Sequence, residues 1–85
     1  MKKQAKSKHK KIITNCGKLK GLIVEKGKNF KECALALDIS EFQFRQKING
    51  KADFWVSEAI ILGNYLKLTE QEFIAVFLPH MVKNT

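Results

Sequence analysis

Residues 41–51, "EFQFRQKINGK", gather four carboxylate or amide side chains, three cations and two phenylalanines within one short helix length and its exit. Those residue types suit recognition of nucleic-acid edges. Gln43 and Gln46 carry amides that bond adenine, and Glu41 carries a carboxylate that can accept from cytosine N4. Phe42 offers a ring that suits the thymine methyl group. Arg45 can reach a phosphate or a guanine, while Lys28, Asn29, Lys31, Asn49 and Lys51 are donors for phosphate oxygens. Glu41 also has a plainer role, since a carboxylate at a helix start suits the helix dipole.

Other chemistry is poorly provided for. Cys16 and Cys33 are too few for a disulfide scaffold and lack metal-ligand spacing, so both read as small buried hydrophobes. His9 and His80 have no carboxylate or cysteine cluster beside them. No glycine-rich phosphate loop and no nucleophile elbow is present. The expectation is a protein with no catalytic residues, no cofactor and no metal.

A base-reading surface must be carried on something rigid. Residues two apart on a helix point to nearly opposite sides, so Phe42 and Phe44 cannot both be core. At about 100° per residue, Phe44 and Ile48 share the inward face. Phe42 then lies outward beside Gln46 and Asn49, with Gln43 and Arg45 on the flanks. The alternative is that Phe42 covers a neighbouring loop or a protein partner.

Five short helices are predicted, with no strand. The first starts at the cap Asn15 and repeats Cys16, Leu19, Leu22, Ile23 and Lys26 on one face, ending at Gly27. "FKECALAL" is the second, capped by Asn29, with Cys33, Ala34 and Leu37 inward. Ser40 caps the third, "EFQFRQKI", which Asn49-Gly50 breaks. The fourth runs through "SEAIILGNYLKL" with Ile60, Ile61, Tyr65 and Leu68, or close neighbours, inward. The fifth opens on the capping box Thr69/Glu72, carries Phe73, Ile74, Phe77 and Leu78, and stops at Pro79. Trp55, before the fourth helix, packs on the core or lies against a sugar-phosphate strand.

Eighty-five residues allow one domain. Of the formal charge of +8, residues 1–11 carry +6, residues 12–51 carry +4 and residues 52–85 carry −2. Residues 1–11 have little to bury and are expected to be a disordered basic tail, leaving 12–85 as the domain. A positive tail and first half suit a polyanion approaching one side, although solubilising lysines alone would give the same total. No apolar run approaches the length of a membrane span or a signal segment, so a cytoplasmic protein is expected, with no membrane partner.

Two helices of about eight residues joined by a tight turn form the DNA-binding helix-turn-helix arrangement. Ala34 supplies the small residue at the crossing, and Ile39 the apolar plug of the turn. Cys33, Leu37, Phe44 and Ile48 hold both helices to the core. "FKECALALDISEFQFRQKINGKADF" resembles the phage-repressor and Cro-like helix-turn-helix family. It is most similar to small repressors of phages and mobile elements in Gram-positive bacteria, which share an "F..KINGK.DF..SE" run. The resemblance covers about residues 16–78. It implies an all-α, lambda-repressor-like five-helix domain whose third helix, about 41–49, enters the DNA major groove. Two positions depart from the family: Asp38 stands where glycine is usual in the turn, and Phe30 where a phosphate-binding glutamine is common.

The resulting expectation is a repressor-like regulator that binds double-stranded DNA and takes no small-molecule ligand. Phe42, Gln43, Gln46 and Glu41 would read bases, and Lys28, Asn29, Lys31, Arg45, Asn49 and Lys51 would hold phosphates. A homodimer through Phe73, Phe77, Leu78 and Met81 is expected, because that helix carries more apolar surface than it needs. The rival reading is a helix-turn-helix fold reused to bind and modulate a host protein, since fold does not fix function.

Overall fold

A computed structural model describes residues 11–81, and the chain in it is mostly helical. The order is β1 (Lys11–Ile12), α1 (Cys16–Glu25), α2 (Phe30–Leu37), α3 (Glu41–Ile48), β2 (Phe54–Trp55), α4 (Val56–Tyr65) and α5 (Glu70–Phe77). A single 3-10 turn, Pro79–Met81, follows. Residues 1–10 of the expected tail and 82–85 of the expected domain lie outside the described residues.

Local sequence explains the starts of α1, α2, α3 and α5. Asn15, Asn29, Ser40 and Thr69 accept hydrogen bonds through their side chains from the backbone N–H three residues on. In α2, α3 and α5 the residue at that third position, Glu32, Gln43 or Glu72, accepts in return from the cap's own N–H. Such reciprocal boxes satisfy donors that a helix start otherwise leaves unpaired.

The helix ends follow one pattern. Each of α1 to α4 closes with a pair of backbone bonds around a residue in the left-handed conformation, a Schellman ending. After α2, Asp38 N–H donates to Leu35 C=O at 3.1 Å and Ile39 N–H to Ala34 C=O at 3.1 Å. The left-handed residues are Gly27, Asp38, Gly50 and Lys67, with φ of 75°, 61°, 81° and 54°. Asp38 therefore holds a conformation that glycine adopts more readily, and aspartate better than most other residues.

The core is a relay of rings. Phe30, Phe44, Phe54, Phe77 and Phe73 stack in that order with centroids 5.6, 5.9, 5.9 and 5.2 Å apart. Tilted and edge-to-face contacts of this kind add to the area that the rings bury. Leu19, Leu22, Ile23, Cys33, Ala34, Leu37, Ile48, Ala59, Leu62, Leu66 and Val76 complete it.

Three expectations need correction. The chain does contain strands: Lys11 pairs with Trp55 and Ile12 with Phe54 in a two-residue antiparallel ribbon. A pair that short has no alternation pattern to read. The fourth helix differs from the expectation at Ile60 and Ile61, while Tyr65 and Leu68 pack on the core as expected. Its buried residues are Ala59, Leu62 and Gly63, while Ile60 and Ile61 are exposed. Part of the reason is a close approach: a Cβ on Gly63 would stand 2.9 Å from Cδ1 of Phe73, so a larger side chain has no room at that position.

The third correction concerns the expected pairing surface. Phe77 is fully buried in the chain's own core, and Phe73 packs on it, half-buried. Leu78 is half-buried, which leaves Met81 as the exposed member of that set. Phe77 fills the space between α5 and Phe54 and is not a surface residue.

Candidate nucleic-acid interface

The α3 helix answers the question posed by its two phenylalanines. Phe44 and Ile48 are fully buried, and Phe42 is 70% exposed. Phe44 is held between the rings of Phe30 and Phe54. With the inward side fixed, the exposed side of α3 displays Phe42 and Gln43, with Gln46 half-buried beside them.

Several polar groups on this surface are already committed. Gln43 Oε1 accepts from Ser40 N–H at 3.0 Å, so the amide nitrogen is what the side chain can offer elsewhere. Asn29 Oδ1 likewise accepts from Glu32 N–H at 2.8 Å. Glu41 Oε2 accepts from both Nη2 and Nε of Arg45, at 2.8 and 3.2 Å. The Arg45 guanidinium also lies 5.1 Å from the centre of the Phe30 ring. Arg45 thus enters the surface as half of an ion pair, and Glu41 gains a partner one helical turn on.

A groove of about 400 Å³ brings Lys28, Asn29, Lys31 and Arg45 together with Glu41, with Ile23, Val24 and Phe30 completing its lining. Most of the residues expected to hold phosphates therefore share one concavity at the start of α2. The other two, Asn49 and Lys51, are exposed at the exit of α3, where Asn49 is the C-cap and Gly50 the left-handed residue. Lys28 also sits over the Tyr65 ring at 5.0 Å, which fixes where its charge lies.

Lys47 is the polar residue that sequence reasoning missed. Its ammonium pairs with Glu58 at 3.1 Å, with side chains only 12% and 13% exposed. It donates to Asp53 C=O at 2.9 Å and lies 6.0 Å from the Phe54 ring. Glu58 in turn accepts from Trp55 N–H at 2.9 Å, capping α4. Trp55 itself is half-buried. The only signal in the sequence is a lysine and a glutamate on either side of the buried Phe54, which spacing alone does not connect.

Neither cysteine is set up for nucleophilic chemistry. Burial pushes the Cys33 thiol up to about 11, and the neighbouring Glu32 carboxylate adds to the effect. Burial also raises Cys16, partly opposed by Lys20 and by the Gly50 N–H, and its thiol donates to Lys47 C=O at 3.6 Å. Among the described residues no cluster of three or more His, Cys, Asp or Glu could hold a metal ion, and no helix is long and apolar enough to cross a membrane. Compared with known family models, characterised proteins and solved structures, the chain matches none.

Proposed function

We propose that the protein is a sequence-specific double-stranded DNA-binding regulator, repressor-like in action, in which α2 and α3 act as a helix-turn-helix and α3 enters the major groove. The observation that carries this reading is the exposed Phe42 on a helix whose Phe44 and Ile48 are fully buried. Glu41 and Arg45 join α3 to the Lys28/Lys31 groove, and Asn49 and Lys51 are exposed at the exit of α3. Phosphate donors at both ends set register and orientation, and the short apolar and amide face between them distinguishes bases. The basic residues 1–11 add affinity that depends on salt and not on sequence. The resemblance to small phage and mobile-element repressors agrees with this assignment. The test is selection of duplexes from a random pool by gel shift, with enrichment of one motif as the expected result.

A second reading is favoured by one observation. Val24, in the lining of the Lys28/Lys31 groove, and Leu35, on α2, are 74% and 71% exposed, and neither is among the residues assigned to base reading. Apolar side chains so placed suit a protein partner, and a chain that modulates a host protein through them would enrich no DNA motif in the same selection.

A further inference from the structure

We infer that Lys47 and Glu58 are positioning residues for the base-reading helix, and that Lys47 does not bind a phosphate. This rests on the DNA-binding reading above. A lysine on a reading helix is ordinarily assigned to the DNA backbone, and the geometry here assigns it elsewhere. Its charge is cancelled by Glu58 at 3.1 Å, and both side chains are nearly withdrawn from solvent. Its remaining hydrogen bond goes to Asp53 C=O, on the far side of the loop that leaves α3.

The consequence is mechanical. The α3 helix has eight residues, so it is about 12 Å long at 1.5 Å per residue, and a small tilt moves its ends appreciably. Base reading by hydrogen bonds tolerates errors of only about 0.5 Å. Lys47 ties α3 to the loop segment at Asp53 and, through its pair with Glu58, to the first turn of α4, where Glu58 also accepts from Trp55 N–H. The exposed turn at Asn49 and Lys51 lies between Lys47 and Asp53, so its place relative to Phe42 and Gln46 is set by this clamp. Phosphate-bound and base-bound groups then meet DNA in one register. Without the clamp that register loosens, while each DNA-binding group stays chemically intact.

The experiment measures binding of the full chain to the duplex enriched from the random pool and to a scrambled duplex of equal length, over a range of salt. It compares wild type, Lys47→Gln, Glu58→Gln and Lys51→Gln, at a temperature where each variant is folded by circular dichroism. Lys47→Gln should lower the preference for the enriched duplex about tenfold and leave the slope of log K against log salt on the scrambled duplex unchanged. Lys51→Gln should lower that slope by about 0.9, the value for one phosphate fewer neutralised. Glu58→Gln keeps an oxygen for Trp55 N–H and so is the variant to rely on if Lys47→Gln does not fold. It should lose preference as well, while freeing the Lys47 charge to strengthen non-specific binding. A slope reduced by about 0.9 in Lys47→Gln with preference intact would place Lys47 on a phosphate and overturn the inference. Preference and slope both unchanged in Lys47→Gln, or preference unchanged in Glu58→Gln, would also overturn it by leaving the pair a purely structural role. A wild-type protein that enriches no sequence would sink the DNA reading itself, and this inference with it.

Discussion

Arg45 donates through both Nη2 and Nε to a single oxygen of Glu41, four residues earlier on the same helix. The geometry makes the acidic residue at the start of α3 intelligible. It holds a guanidinium against the Phe30 ring at the mouth of the Lys28/Lys31 groove. Exposed pairs of this spacing contribute only about 0.3–0.5 kcal/mol to stability, so its importance lies in charge.

Glu41→Gln should therefore leave the melting temperature nearly unchanged and strengthen binding to every DNA sequence. Releasing Arg45 should steepen the slope of log K against log salt by up to about 0.9. Titration of scrambled duplex at several salt concentrations checks this.

The two phenylalanines of α3 should separate stability from surface. Phe44→Ala removes a ring between Phe30 and Phe54 and should cost about 3–5 kcal/mol, enough to unfold much of so small a domain. Phe42→Ala should change the urea midpoint little, because Phe42 is mostly in solvent. Denaturation of both variants by urea distinguishes them.

Most of this arrangement is legible in the sequence because capping chemistry and helical period agree. Asn15, Asn29, Ser40 and Thr69 start the helices where their side chains predict, and Phe44 with Ile48 sets the rotation of α3. The fourth helix is harder to read, because hydropathy ranks Ile60 and Ile61 above Ala59 and Gly63. Close approach to Phe73 leaves no room for a side chain at Gly63, and nothing local announces where Phe73 will be. The Lys47–Glu58 pair and the ribbon are invisible for the same reason, since each joins segments that only the fold brings together. Phe77 looks like surplus apolar surface until Phe54 meets it in the core.

Non-glycine residues at left-handed positions carry a conformational cost, about 1–2 kcal/mol for an L-residue. Lys67, at φ 54° after α4, is exposed, so Lys67→Gly should raise stability by up to about 1 kcal/mol. Gly50→Ala, at φ 81°, should lower it by about 1 kcal/mol. Opposite shifts of the thermal midpoint in these two variants are the expected outcome.

Acid should weaken the attachment of α5. Glu72 accepts from Thr69 N–H at 2.9 Å and from Lys26 Nζ at 3.1 Å. The Thr69 backbone bond first, and the Lys26 ammonium second, hold its carboxyl below the usual glutamate range. The unfolded chain thus binds this proton more readily than the folded one. Stability from Glu72 is present in full above the ordinary carboxylate range and is lost as pH falls through the lowered folded value. Glu72→Gln should flatten the decline of the urea midpoint between neutral pH and about pH 3, relative to wild type.

The central claim, that the exposed face of α3 reads bases, is tested most directly by the affinity of Phe42→Ala for the enriched duplex and for its scrambled counterpart. The expected result is a loss of about tenfold or more on the enriched duplex, within the roughly 1–3 kcal/mol typical of a base contact, and no change on the scrambled one. Replacing thymine by uracil in the enriched duplex should reproduce the loss for wild type and add nothing for the variant. Equal affinity of wild type and Phe42→Ala for both duplexes would contradict the claim.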